Sequence, residues 1–156
     1  HRYPDGDDLS ALPLERLVRL AASVVHLDRV DHRGIATADL AAVAIEGRAV
    51  LLHTGWDRHF GTAEYGAGAP YLTAEACRHL IDAGAVLVGI DSVNIDDTES
   101  GGARPAHTLL LAAGVGIVEH LTGLDRLPAD GALFTAVPPK VRGFGTFPVR
   151  AFAELP

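Results

Sequence analysis

The sequence contains no methionine, one cysteine and one tryptophan, and each scarcity excludes something. For a chain that opens on His1 and carries no methionine we expect a piece of a longer protein. The lone Cys77 rules out an internal disulfide, and its place in a helical pattern points to a buried thiol. No apolar run approaches the roughly 18 residues that a membrane span requires, and no secretory leader is recognisable, so cytoplasmic residence is the expectation. Basic residues are also in short supply. With 13 Lys and Arg against 20 Asp and Glu, the formal charge of -7 argues against a nucleic-acid partner, because phosphate binding needs a basic face.

What is present fits one ordinary domain. A chain of 156 residues buries roughly two-thirds of its unfolded surface. Hydrophobic residues at 48% and charged residues at 21% belong to a globular chain, and no repeat, low-complexity tract or linker divides it.

Along the chain, Ala22 to Leu27 reads as a strand followed by the polar turn Asp28 to Gly34. Thr37 and Asp39 offer helix-start chemistry for a helix through about Ile45, closed by Gly47. Ala49 to Leu52 is a short apolar run of the kind that forms a buried strand, and strand-helix-strand order favours an α/β fold. It feeds His53-Thr54-Gly55-Trp56, at a strand end where sites are often built. His26 and His32 read as a strand-facing side chain and a loop residue rather than ligands. His53 and His59 would be a metal pair, but their six-residue separation suits neither one helix face nor one strand face, so each reads as a surface or hydrogen-bonded histidine. Trp56 and Phe60 suit either a substrate cavity or packing.

Thr73 opens a strong helix signal that Gly84 stops, and Val86 to Ile90 is a buried strand delivering Asp91 to a polar loop. The acids Asp96, Asp97 and Glu99 lack the periodicity of a calcium loop and read as solvated. A short apolar helix then begins near His107, halts at Gly114, and passes into Val115 to Val118, which ends in Glu119. On spacing alone the bland reading, a capping histidine and a surface glutamate, is favoured. An imidazole with a carboxylate is also half of a hydrolytic zinc or manganese site. His120 would point away from Glu119 if this segment is extended. Two closing strands are expected, Ala132 to Val137 and Pro148 to Ala153.

Several of these stretches together resemble the metal-dependent cyclase family, which includes kynurenine formamidases, isatin hydrolases and polyketide-type cyclases. The resemblance is carried by L-L-H-T-G-W, V-G-I-D, the His107-x11-Glu119 frame, and the closing F-T-A-V-P-P-K-V and P-V-R-A-F-A strings. It implies a layered α/β fold of the swivelling β/β/α type in one domain, residues 1–156. It implies a divalent Zn2+ or Mn2+ ion held by His107 and Glu119. His1 matches the last histidine of the family signature H-x-G-T-H-x-D-x-P-x-H, which makes it the implied general acid and base. The two histidines and the aspartate that the signature places upstream are absent from this sequence. The implied chemistry is metal-assisted hydrolysis of a small amide, lactam or ester, with an aryl formamide such as N-formylkynurenine as the example. A metal-dependent cyclase or dehydratase, or a non-catalytic small-molecule binder, are the alternatives. The resemblance also implies a dimer or larger homo-oligomer.

Overall fold

The computed structural model describes residues 6–155. In chain order the regular elements are β1 (Leu20–His26), β2 (Gly34–Ile35), β3 (Ala49–His53), β4 (Tyr71–Leu72), α1 (Ala74–Asp82) and β5 (Leu87–Ile90). They are followed by α2 (Pro105–Ala112), β6 (Gly116–Val118), β7 (Asp130–Thr135) and β8 (Phe152–Glu154). Six strands form one sheet in the order β6-β5-β3-β1-β7-β8, while β2 and β4 pair separately. From β6 to β1 the neighbours run parallel, and β7 and β8 pair antiparallel. This is the α/β fold the sequence implies.

Strand β3 shows why the sheet must be covered on both faces. All five of its residues are buried, and alternate side chains face opposite ways. Val50 and Leu52 join Val88, Ile90, Leu80 and Leu110 in one core, between the sheet and the two helices. Ala49 and Leu51 join Val24, Leu87, Leu121 and Phe134 in a second core on the other face. Cys77 lies fully buried in the first core, as its helical setting predicts, and burial pushes its thiol up to about 12.

Helix α1 starts where Thr73 caps it, its hydroxyl accepting from the Ala76 amide at 3.3 Å, and Gly84 follows its end at φ +82°. The helix expected from Thr37 to Ile45 does not form. A single 3-10 turn spans Thr37–Leu40, and the Asp39 carboxylate turns back to accept from the Ala36 amide at 2.8 Å. The strand expected from Pro148 shrinks to Phe152–Glu154, since only these residues meet β7. Among the described residues, no helix is long and apolar enough to cross a membrane.

Candidate metal centre

The four parallel strands end at one edge of the sheet, the edge where open α/β sheets carry their sites. His26 closes β1, His53 closes β3, Asp91 follows β5 and Glu119 follows β6. Helix α2 begins beside them. Pro105 opens its first turn, where a missing amide hydrogen costs nothing, and His107 lies in the same turn two residues on.

The start of α2 is held by a residue that sequence reading assigned to solvent. Asp96 is buried at 3% exposure, and its carboxylate accepts from the amides of Ala106 at 2.6 Å and His107 at 3.2 Å. It also lies 2.7 Å from the His107 ring Nδ1. Burial by itself raises the carboxyl's pKa. The hydrogen bonds from the His107 side chain and from the two amides outweigh it and hold Asp96 below the usual range. An ionised Asp96 draws a proton onto Nδ1, so in the neutral ring Nε2 carries the lone pair.

That lone pair faces Glu119. His107 Nε2 lies 3.7 Å from Glu119 Oε1, with both side chains about one-fifth exposed at 21% and 22%. The separation is too long for a hydrogen bond. Two ligands on one ion at bond lengths near 2.1 Å sit about 3.0–3.5 Å apart, so a few tenths of an ångström of adjustment would seat a cation. Glu119 Oε1 accepts from the Ile95 amide at 2.8 Å, which steadies the carboxylate. An imidazole whose far nitrogen is anchored by a carboxylate, opposite a second carboxylate, is the donor chemistry of a divalent metal centre. The pair expected from the sequence is therefore brought together, and Asp96 is the partner that sequence reading missed. His1 lies outside the described residues.

Beside this pair, Asp91 anchors the His53-to-Trp56 loop. It is fully buried and accepts from the Thr54 amide at 2.9 Å, the Thr54 hydroxyl at 2.5 Å and the Gly55 amide at 2.7 Å. Desolvation is the largest influence and pushes its pKa up despite these donors. Trp56 Nε1 donates to the Tyr65 carbonyl at 3.0 Å, and the Tyr65 hydroxyl lies 3.1 Å from His120 Nδ1. Burial, then the negative charges of Asp91, Asp57 and Glu119, pushes the phenol up to about 12, so it stays protonated beside His120. His120 takes a left-handed backbone with φ +58°, so the alternation of an extended strand does not fix its direction.

A second group of donors lies further along the same edge. His26, Asp28 and His53 offer ligand atoms within 4.8 Å of one another, the geometry of a possible metal-binding group. His53 finds its partner in His26 and not in His59, which pairs with Arg58. Asp28, Arg33, Ile35, Thr54, Trp56 and Arg58 border a cavity of about 200 Å³. Trp56 thus lines a cavity, whereas Phe60 is 59% exposed and meets Tyr65 edge-on.

Comparison with known proteins places the chain in a family. Residues 1–97 match the family model described as "Putative cyclase". The chain is 34% identical over 121 residues to the isatin hydrolase of Roseibium aggregatum, which covers 70% of this chain and 46% of that protein. It is 33% identical over 82 residues to the kynurenine formamidase of Paracidovorax citrulli, covering 53% of this chain and 37% of that one. Its fold matches isatin hydrolase A from Labrenzia aggregata bound to benzyl benzoate with a TM-score of 0.88 at 26% identity, over 97% of this chain and 66% of that one. A solved structure described as a potential metal-dependent hydrolase with cyclase activity matches with a TM-score of 0.81 at 29% identity, over 97% of this chain and 72% of that one.

The chain belongs to the cyclase family. It spans less than half the length of the curated relatives it matches.

Proposed function

We propose that the protein is a metal-dependent hydrolase of a small amide, lactam or ester, with His107 and Glu119 among the ligands of a divalent Zn2+ or Mn2+ ion. The observation that carries this reading is the convergence of His107 Nε2 and Glu119 Oε1 at 3.7 Å, with Asp96 fixing the imidazole from behind. When bound, such an ion polarises a substrate carbonyl and makes water a stronger nucleophile near neutral pH.

The chain's own residues supply positioning and proton handling. Asp96 holds the His107 ring in one tautomer, and the Ile95 amide holds Glu119. A carboxylate committed to a cation is a poor proton acceptor, so the acid and base role falls to His1, whose pKa range suits transfer near neutrality. Tyr65 stays a neutral phenol beside His120. Trp56 lines the cavity of about 200 Å³ beside Asp28 and Thr54, which neither His107 nor Glu119 borders. The names of the relatives support lactam and aryl formamide substrates. A homo-oligomer belongs to the same reading, and Phe144, Phe147 and Phe152, each about half exposed, are surface that assembly would cover.

The test is to replace His107 or Glu119 with alanine and follow both bound metal and turnover of isatin and N-formylkynurenine. Loss of metal together with turnover is the expected result. Turnover retained at normal metal content would remove the reading. The solved relative described as a potential hydrolase with cyclase activity supports a second use of the same site, ring closure, which a product assay distinguishes because no water is consumed.

A further inference from the structure

We propose that His26, Asp28 and His53 form a second divalent-cation site, separate from the His107 and Glu119 centre, that takes Zn2+ through two imidazole Nδ1 atoms and one carboxylate oxygen.

The separation follows from the sheet. β3 and β6 lie on either side of β5, so with neighbouring strands about 4.8 Å apart their ends are roughly 10 Å apart. A single ion cannot bridge that span. The β5 position between them is filled by Asp91, whose oxygens are taken up by Thr54 and Gly55.

The new site is set by strand register. His26 and His53 are directly paired residues at the ends of adjacent parallel strands, where the Leu27 amide also donates to the His53 carbonyl at 2.7 Å. Their Nδ1 atoms lie 2.9 Å apart. Two nitrogen lone pairs that close repel unless something positive lies between them, either a proton on one ring or a cation. Zinc bonds of about 2.0–2.1 Å in tetrahedral geometry need nitrogens near 3.3 Å, so the rings would part by only a few tenths of an ångström. The rings stand edge to face at 84°, which lets both turn about their Cβ bonds without sliding over each other.

Asp28 supplies the third donor, with Oδ1 at 3.9 Å from His53 Nδ1. It sits in the turn after β1 with a side chain 40% exposed, and among the described residues its Oδ2 meets only the solvent-exposed Arg29 guanidinium at 3.9 Å, a contact weak enough for Oδ1 to close the gap. It also borders the cavity of about 200 Å³, which gives an ion a route in and leaves room for a water as fourth ligand. The nearby Arg58 guanidinium is committed elsewhere. It donates to the Gly55 carbonyl at 3.0 Å and to His59 Nε2 at 3.0 Å, and it lies over the Trp56 ring. Two imidazoles and one carboxylate suit zinc better than magnesium or calcium, which prefer all-oxygen sets.

The experiment titrates Zn2+ and then Co2+ into metal-stripped protein carrying His107→Gln and Glu119→Gln, so that failure of the hydrolase reading cannot affect the result. One equivalent should bind, with the visible absorption of tetrahedral Co2+. Adding Asp28→Asn or His26→Gln, both at exposed positions, should weaken binding about tenfold or more. In the unsubstituted protein, the same two changes should remove one zinc equivalent. No stoichiometric binding, or binding that Asp28→Asn and His26→Gln leave unchanged, overturns the proposal.

Discussion

Asp96 Oδ2 lies 2.7 Å from His107 Nδ1, and this contact decides which ring nitrogen of His107 carries the proton. Asp96→Asn keeps the size of the side chain and an oxygen for the Ala106 amide, but sets an amide group against Nδ1. The ring can then place its proton on Nε2, where it blocks the lone pair. Metal affinity should fall by about 10–100-fold while the fold persists. Competition titration with a chelator measures the loss, and imidazole nitrogen chemical shifts report the tautomer. Unchanged affinity would show that Asp96 only starts the helix.

Asp91→Ala should affect stability through a different route. It strips the acceptor from the Thr54 amide, the Thr54 hydroxyl and the Gly55 amide, in a place where Thr54 is only 7% exposed. Stranded buried donors cost about 1–3 kcal/mol each, less what water entering the gap recovers, so a total of about 3 kcal/mol is expected. Urea unfolding measures it. Trp56, the only tryptophan in the chain, reports whether its own loop loosens first. A loss below about 1 kcal/mol would mean that the loop is held by something else.

The sequence shows the strands around Ala49 and Val86 and the helix after Thr73 because their signals are local: unbroken apolar runs, a capping hydroxyl and a stopping glycine. The supposed helix after Thr37 fails because Asp39 satisfies Ala36 at once, and only Leu40 of that turn is buried. His107 and Glu119 come from the family resemblance, since their spacing alone favours a capping histidine and a surface glutamate. Asp96 was not reachable, since nothing local separates it from Asp97 and Glu99, which pair with Arg33 nearer the surface. The pairing of His26 with His53 spans 27 residues and depends on strand register, which composition and periodicity do not contain. Tyr65 and His120, 55 residues apart, were hidden for the same reason.

Asp8 gives a pH test away from the metal donors. Its carboxylate accepts from the Gly143 amide at 2.6 Å and from the Ser10 hydroxyl at 2.6 Å. The Gly143 bond, then the Ser10 hydroxyl, lowers its pKa to about 2. Between the ordinary carboxylate value and this lowered one, the unfolded chain binds more protons than the folded one. The tether is therefore at full strength above the ordinary value and is lost as the pH falls through about 2. The Gly143 amide resonance should titrate with that midpoint, and Asp8→Asn should abolish the titration. A midpoint at the ordinary carboxylate value would show that the contact is not formed in solution.

Gly89 is a glycine because two leucines occupy the space of a side chain. A Cβ there would lie 2.7 Å from both Leu51 Cδ2 and Leu121 Cδ1, in a strand buried along its whole length. Gly89→Ala should cost about 1–3 kcal/mol by overpacking. Leu121→Ala should cost about 2–4 kcal/mol by leaving a cavity. Each change makes room for or fills the other, so the double variant should be more stable than the sum of the two losses predicts by about 1 kcal/mol or more. Urea unfolding of the four proteins measures that coupling, and strict additivity would show that Leu121 moves freely. The coupling also bears on the metal centre. The Leu121 amide donates to Ile90 at 3.1 Å and the His120 amide to Ser92 at 3.1 Å, so a displaced Leu121 pulls the segment that carries Glu119. Gly89→Ala alone should therefore weaken metal binding as well as stability, and Leu121→Ala should restore part of both.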